Sequence, residues 1–421
     1  MSGRWGSAPT SPRDQRARMT NCSDLISHGG ARVLRRLLVP AAILAFLSTG
    51  ASARDLPHSP STRCKIVTKI VHGKKKHVRV CKKTPMPQAG SIAATIALGP
   101  GVQVVKVAAS DTAVWALSND RRLFRIDPAS NTLTATLQLP DSEWPENEVS
   151  YGQGSIWVTV ASPDTARQPE LDSVLRLDAQ TLQLIARIRV GHSPEGIAFT
   201  PGAVWIANHR SEYGANGGDV TGRFDVSRID PASNSETGRV PVEDRPLSNG
   251  CCGPQGMTAA AGSVWITDPQ ESGTGLVLRI DPATNSVTAR IPFAKTQATA
   301  CGDLAGDDAA LWVVSGCNGR LLVRIDPRTN RVVKQIALGA IAQDVALGFG
   351  SVWVTANGPF ANAASSGLNR INPATTKVVA WTHLPTPQVL ESGDTAPLAL
   401  AVGAGSIWVG GGNKVLRLTP R

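Results

Sequence analysis

The chain has 421 residues, 42% of them hydrophobic and only 18% charged, with 40 glycines and 29 prolines. This composition permits a large core and suits many turns rather than long helices. The net charge of +11 divides into +5 over residues 1–53, +9 over residues 54–90 and −3 over residues 91–421, so a general basic field is excluded as the means by which the main body attracts a partner.

Residues 1–53 read as a secretory signal. Arg32, Arg35 and Arg36 precede an apolar run from Leu37 to Leu47, and Ala51-Ser52-Ala53 has the A-x-A form of a cleavage site. Met19 is an alternative start, since Met1 to Arg18 is polar, basic and patternless. The run is short for a membrane span, so an uncleaved anchor is the second reading, and no transmembrane helix is expected after cleavage. The expected location is secreted or attached to the cell envelope.

Residues 54–90 form a basic segment and a Pro-containing linker. Cys64 and Cys81 bracket KIVTKIVHGKKKHVRV, whose alternation on both sides of HGKKK predicts a β-hairpin stapled by a Cys64–Cys81 bridge. Lys74, Lys75, Lys76, Arg79, Lys82 and Lys83 are the candidate contacts to a polyanion such as an anionic cell-wall polymer. A solubilising linker is the competing reading. The segment has no aromatic residues for base stacking and the main body is negative, so nucleic acid is not the expected partner.

From residue 91 onward a unit repeats. An aliphatic residue followed by Trp recurs at Trp115, Trp157, Trp205, Trp265, Trp312, Trp353 and Trp408, with spacings of 42, 48, 60, 47, 41 and 55 residues. A tight-turn signal such as AAGS, GFGS or GAGS precedes each Trp, and an arginine-led strand such as VLRID follows it. In RIDPATN, Asp281 can accept from the backbone two residues on, Pro282 presets φ, and Asn285 tolerates a left-handed conformation. Each unit therefore reads as four strands, a to d, with this box as the c–d turn. Seven such units predict an all-β, seven-bladed β-propeller over residues 91–421. The seventh unit lacks strand d. The segment at 91–98 has the d pattern without a, b or c, and it is expected to close the ring as the outer strand of the last blade.

The long b–c and d–a connections share the face around the channel mouth, so sites are expected there. Alignment on Trp leaves two registers for the axial position of strand a. One holds Val105, Asn147, Glu195, Gln255, Gly302, Gln343 and Leu398; the next holds Lys106, Glu148, Gly196, Gly256, Asp303, Asp344 and Ala399. Glu148, Glu195, Asp303 and Asp344 are the candidate collar for a hard cation, Ca²⁺ or Mg²⁺, with a solvated polar mouth as the alternative. Asn208, His209 and Asp268, at the ends of b strands, join Gln255 and Gln343 as candidate mouth residues. Cys301 and Cys317 flank Trp312 on strands a and b and are expected to form a bridge. Adjacent Cys251 and Cys252 are either a vicinal disulfide or two thiols.

SPEGIAFTPGAVWIAN followed by VSRIDPASN resembles the YVTN/YncE-like propellers of exported bacterial proteins, and is also similar to the virginiamycin B (streptogramin) lyase propellers. The resemblance implies the fold and, for the lyases, elimination by a His general base with acidic partners and Mg²⁺. The propeller segment contains His192, His209 and His383, and none stands beside a Glu at strand-alternating spacing. No GxSxG, Walker or HExxH motif is present. The expected function is a non-catalytic binding module for a protein, peptide or glycan. A metal-assisted lyase or lactonase is the alternative.

Overall fold

The computed structural model describes residues 61–71, 74–84, 86–139, 144–161, 172–213, 219–245, 256–268, 275–293, 302–315, 319–357, 366–385 and 398–420. These residues are all-β. Seven four-stranded antiparallel sheets form the blades of a propeller, and a separate two-stranded sheet precedes them. No helix among the described residues is long and apolar enough to cross a membrane.

In the fourth blade the strands are Met257–Ala260, Ser263–Asp268, Leu276–Asp281 and Ser286–Pro292, paired in that order from the inside outward. The other blades repeat this plan. In all seven the b-strand Trp stands directly across from the c-strand Arg, as Trp265 does from Arg279 and Trp408 from Arg417. In six of them the guanidinium lies over the indole, 5.2–5.6 Å from its centroid. Trp115 of the first blade instead stacks on Tyr151 of the second, with centroids 5.3 Å apart. The seven indoles are among the largest fully buried side chains, and truncating one to Ala would cost about 3–5 kcal/mol.

The arginines also join neighbouring blades. Arg279 donates to Ser263 Oγ in its own blade and to Pro327 O and Asn330 Oδ1 in the c–d turn of the next. Arg176 makes the equivalent bonds to Ser155, Pro231 and Asn234. Pro and Asn of the box thus serve twice, shaping one turn and receiving the arginine of the preceding blade. Asp281 Oδ1 accepts from Ala283 N at 2.8 Å, and Asn285 sits at φ 51°, as the turn chemistry requires.

Six c–d turns lie within the chain. The seventh blade takes its outer strand, Gly90–Ala97, from the N-terminal side of the propeller, paired with Lys414–Pro420. In the other blades strand d carries a bulge opposite the residues just after the arginine. The closing strand has it too, with Ile92 opposite Leu418 and Ala94 opposite Arg417. Arg417 then reaches Pro128 O and Asn131 Oδ1 of the first blade, so the latch runs across the closure.

The third blade departs from the plan. Its outer three strands, Ala203–Tyr213, Asp219–Asp230 and Ser235–Arg245, are 11 or 12 residues long, and their ladder continues past Asn208–Asp225 to Tyr213–Asp219 and Gly222–Arg245. Five extra residues extend a strand by roughly 16 Å.

The basic hairpin pairs Ser61–Val71 with Lys74–Thr84 and sets Cys64 opposite Cys81. Strand alternation divides its cations, putting Lys74, Lys76 and Lys82 at positions of one face and Lys75, Arg79 and Lys83 at those of the other. Ile66 is 74% exposed, and Thr68 Oγ1 lies 3.2 Å from His77 Nδ1. Cys251, Cys252, Cys301 and Cys317 lie outside the described residues.

Candidate functional site

Strand a of each blade lines the axis, and the second of the two registers supplies the charged ring. Lys106, Glu148, Asp303 and Asp344 come from blades one, two, five and six and line one cavity of about 350 Å³. The matching positions in the remaining blades are Gly196, Gly256 and Ala399. Small residues are needed where strands converge: a Cβ on Gly256 would stand 2.8 Å from Gly302 O.

Three carboxylates of the expected collar therefore converge, but on a cation that the chain supplies itself. Lys106 Nζ lies 2.6 Å from Asp303 Oδ2, 3.4 Å from Glu148 Oε2 and 3.7 Å from Asp344 Oδ2. Asp344 also accepts from Val345 N at 2.7 Å and Leu400 N at 2.8 Å, and Glu148 from Ser150 Oγ at 2.7 Å. The ammonium occupies the place a hard cation would take. Among the described residues no group of three or more His, Cys, Asp or Glu is arranged to hold a metal ion, so the residues present do not fit Ca²⁺ or Mg²⁺ at this ring.

Burial penalises the charges of Lys106, Glu148 and Asp344, and the balance differs by residue. For Lys106 the charges of Asp303, Asp344 and Glu148 outweigh burial, so its pKa is raised well above the ordinary lysine value. For Glu148 burial wins over the attraction of Lys106, and the charge of Asp303 adds to it, so the carboxyl is pushed up to about 7. Burial likewise raises Asp344 to about 7 against the pull of Lys106. Three acids around one base leave a surplus of negative charge, and protons make up the difference near neutrality.

Other sequence candidates fall elsewhere. Glu195 and Gln343 belong to the other register and do not line this cavity. Asn208 is buried and donates to Asp225 Oδ1 at 2.7 Å and Ser227 Oγ at 2.9 Å, so it braces the base of the long third blade. Asp268 is fully buried at the end of its strand. His209 lies within Ala203–Tyr213, its side chain outside the described set, and Gln255 is wholly outside it. His383 Nδ1 sits 3.1 Å from Ser366 O at the outer strand. Sequence reasoning passed over Lys106. Its signal was a positive charge at the ring position where three neighbours are negative.

A family model described as a repeat of unknown function (DUF6923) matches residues 213–406, from the third blade to the a–b turn of the seventh. No curated protein matches the chain. Among solved structures the chain is similar to one from the crystal structure of a mitotic checkpoint complex, with a TM-score of 0.59 at 10% identity, covering 81% of this chain and 98% of that one. At such identity the likeness shows the fold alone. The same fold is matched in 1336 solved chains, so it selects no activity.

Proposed function

We propose that the chain is an exported, non-catalytic propeller that binds a protein, peptide or glycan through the face of its long b–c and d–a connections. The observation that carries this reading is the internally paired ring. The axial position where a metal or a base would work is taken by Lys106 with its three carboxylates. The lengthened third blade adds surface on the face where recognition is expected. The likeness to YVTN/YncE-like exported propellers supports the same reading. No observation favours a metal-assisted lyase or lactonase over it.

The basic hairpin, in this proposal, holds the protein to anionic envelope polymer and is stapled by Cys64–Cys81. Two faces of alternating cations suit a flexible polyanion better than a flat surface. The test is binding of the full chain to anionic cell-wall polymer, with and without Gln at Lys74, Lys75, Lys76, Arg79, Lys82 and Lys83. Wild type should bind in a salt-sensitive manner and the variant should not. Equal binding by both would end the tether reading. Release of a cleaved product from a bound peptide or glycan would end the non-catalytic one.

A further inference from the structure

A second cavity lies away from the channel, between the outer strands Leu184–Arg189 and Ser235–Arg245 of blades two and three. It is a groove of about 480 Å³ whose polar lining includes Arg187, Arg189, His192, Asn234, Glu236 and Arg239. We propose that this groove binds an oxyanion, either a sulfate or phosphate ester or a carboxylate, with His192 as the group that tunes its affinity to pH.

Three observations support the assignment. The first is the orientation of the imidazole. His192 Nδ1 lies 3.1 Å from Asp172 Oδ2, and that carboxylate is fully buried and also accepts from Ser193 N at 3.2 Å. A carboxylate can only accept, so Nδ1 carries hydrogen and the ring is held in one orientation. Nε2 makes no hydrogen bond among the described residues, and the ring lines the groove at 23% exposure.

The second is an arginine held against the lining residue Asn234. Arg176 donates to Ser155 Oγ, Pro231 O and Asn234 Oδ1 and lies over Trp157, and all four partners are neutral. It makes no ion pair among the described residues, so its charge stands 2.7 Å from Asn234 Oδ1, and Asn234 lines the groove.

The third is the charge balance of the described residues around His192. Strand Leu184–Arg189 contributes Arg187 and Arg189, and strand Ser235–Arg245 contributes Glu236 and Arg239. Arg239 spans Glu236 at 2.9 Å and Asp225 Oδ2 at 3.7 Å, which neutralises one of those acids. Asp225 is turned inward to Asn208, and burial raises its pKa against the pull of Asn208 and Arg239. Among the described residues, Arg176, Arg187, Arg189 and Arg239 stand with Asp172, Asp225 and Glu236, four guanidiniums to three acids, and protonation of His192 adds one more positive charge. An arginine fork suits an oxyanion's planar or tetrahedral oxygens, and a protonated imidazole supplies one further donor.

Binding and protonation are then linked. An anion that prefers the imidazolium must raise the ring's titration midpoint by the factor with which protonation tightens the anion. The experiment follows the His192 ring proton by NMR in the full chain, assigned by its loss in His192→Gln. Sulfate is the probe because it stays fully ionised where histidine titrates, and glucuronate supplies the carboxylate arm. Chloride at equal ionic strength is the control. Sulfate or glucuronate should move the midpoint up by about half a unit or more, and Arg187→Gln with Arg189→Gln should cut that shift at least severalfold. Whichever anion gives the larger shift names the class. A midpoint that responds to neither anion beyond chloride overturns the assignment, as does a shift that survives loss of both arginines. The readout is local to the groove, so its result is independent of the basic hairpin.

Discussion

The rim and the axis of this propeller handle charge in opposite ways. At the rim, an arginine recurs in every blade and in most is held by neutral groups: a serine hydroxyl, a proline carbonyl, an asparagine amide and an indole face. At the axis four charged groups occur once each and are held by one another. The rim arrangement is indifferent to pH over the physiological range, because guanidinium does not titrate there and its partners are uncharged. The axial arrangement is not, because its acids exceed its base. The repeated device carries the fold, and the unrepeated one sets how the ring of blades is tied across its centre.

The sharpest way to break that contrast is to remove the axial base. Lys106→Met keeps the length of the side chain and leaves three carboxylates with no cation between them. Breaking a buried pair on one side costs about 3–5 kcal/mol, and this site is at the low end because Asp303 remains 30% exposed. Chemical denaturation at pH 7 should show a loss of about 3 kcal/mol. The loss should shrink on acidification as the acids take up protons. A deficit of the same size at pH 5 would mean that Lys106 acts through packing rather than charge.

At the rim the corresponding change is Arg279→Gln. It removes the bonds to Ser263, Pro327 and Asn330 and the stacking on Trp265. The expected cost is about 2 kcal/mol in the same assay, with no dependence on pH between 5 and 8. A pH-dependent loss here would erase the distinction between the two regions.

Glu148→Gln sharpens the comparison further. The folded-state pKa of Glu148 is about 7, above its unfolded value. The unfolded chain thus releases this proton first, and the folded chain binds more protons between about pH 4.5 and pH 7. Its contribution to stability is complete below the unfolded pKa and is lost as pH rises through 7. Asp344 behaves alike. Glutamine cannot ionise, so the variant should gain on wild type as pH rises across that window, by about 1–2 kcal/mol, and the difference should level off above it. A difference curve that is flat from pH 4.5 to 8 would show that the carboxyl is not raised.

The contrast also explains what could be read from sequence. Trp265, Arg279 and the DPATN turn were legible because they are written again in other blades, and a repeat separates structural need from accident. The closing strand at 91–98 was legible from a vacancy, since the seventh unit ends after strand c. The axial ring was only half legible. Two adjacent registers carried acids, and sequence alone gave no reason to prefer Asp303 over Glu195. Register depends on a-strand bulges, which shift the pairing between Val104 and Lys106 and between Ala342 and Asp344 without a mark in the sequence. The groove at His192 was not legible at all. Asp172, His192 and Asp225 come from separate segments, Arg239 shares its outer-strand position with Arg187 and Arg290 in other blades, and only the packing of two blades brings the four together.

The smallest expected effect tests whether the rim code is understood well enough to repair it. Arg324 of the fifth blade lies over Trp312 like its counterparts, but its Nε is buried without a hydrogen-bond partner. Two departures from the repeat surround it. The residue two before Trp is Ala310, where the second, fourth, sixth and seventh blades have the serine that accepts from arginine Nε. In the next blade the turn ends in Thr376 rather than Asn, at φ 53°, a conformation that asparagine tolerates and a β-branched residue does not. Ala310→Ser should give Nε its acceptor, and Thr376→Asn should relieve the backbone while offering Oδ1 to the guanidinium. Each is expected to stabilise by about 1 kcal/mol, read as a rise in the denaturation midpoint at unchanged slope. Both touch Arg324, so the pair should not add independently, and a double-mutant cycle measures how far they share it. If Ala310→Ser destabilises instead, the added hydroxyl has found no donor. The serine–arginine bond would then follow from how each blade packs, and would not be a transferable part of the repeat.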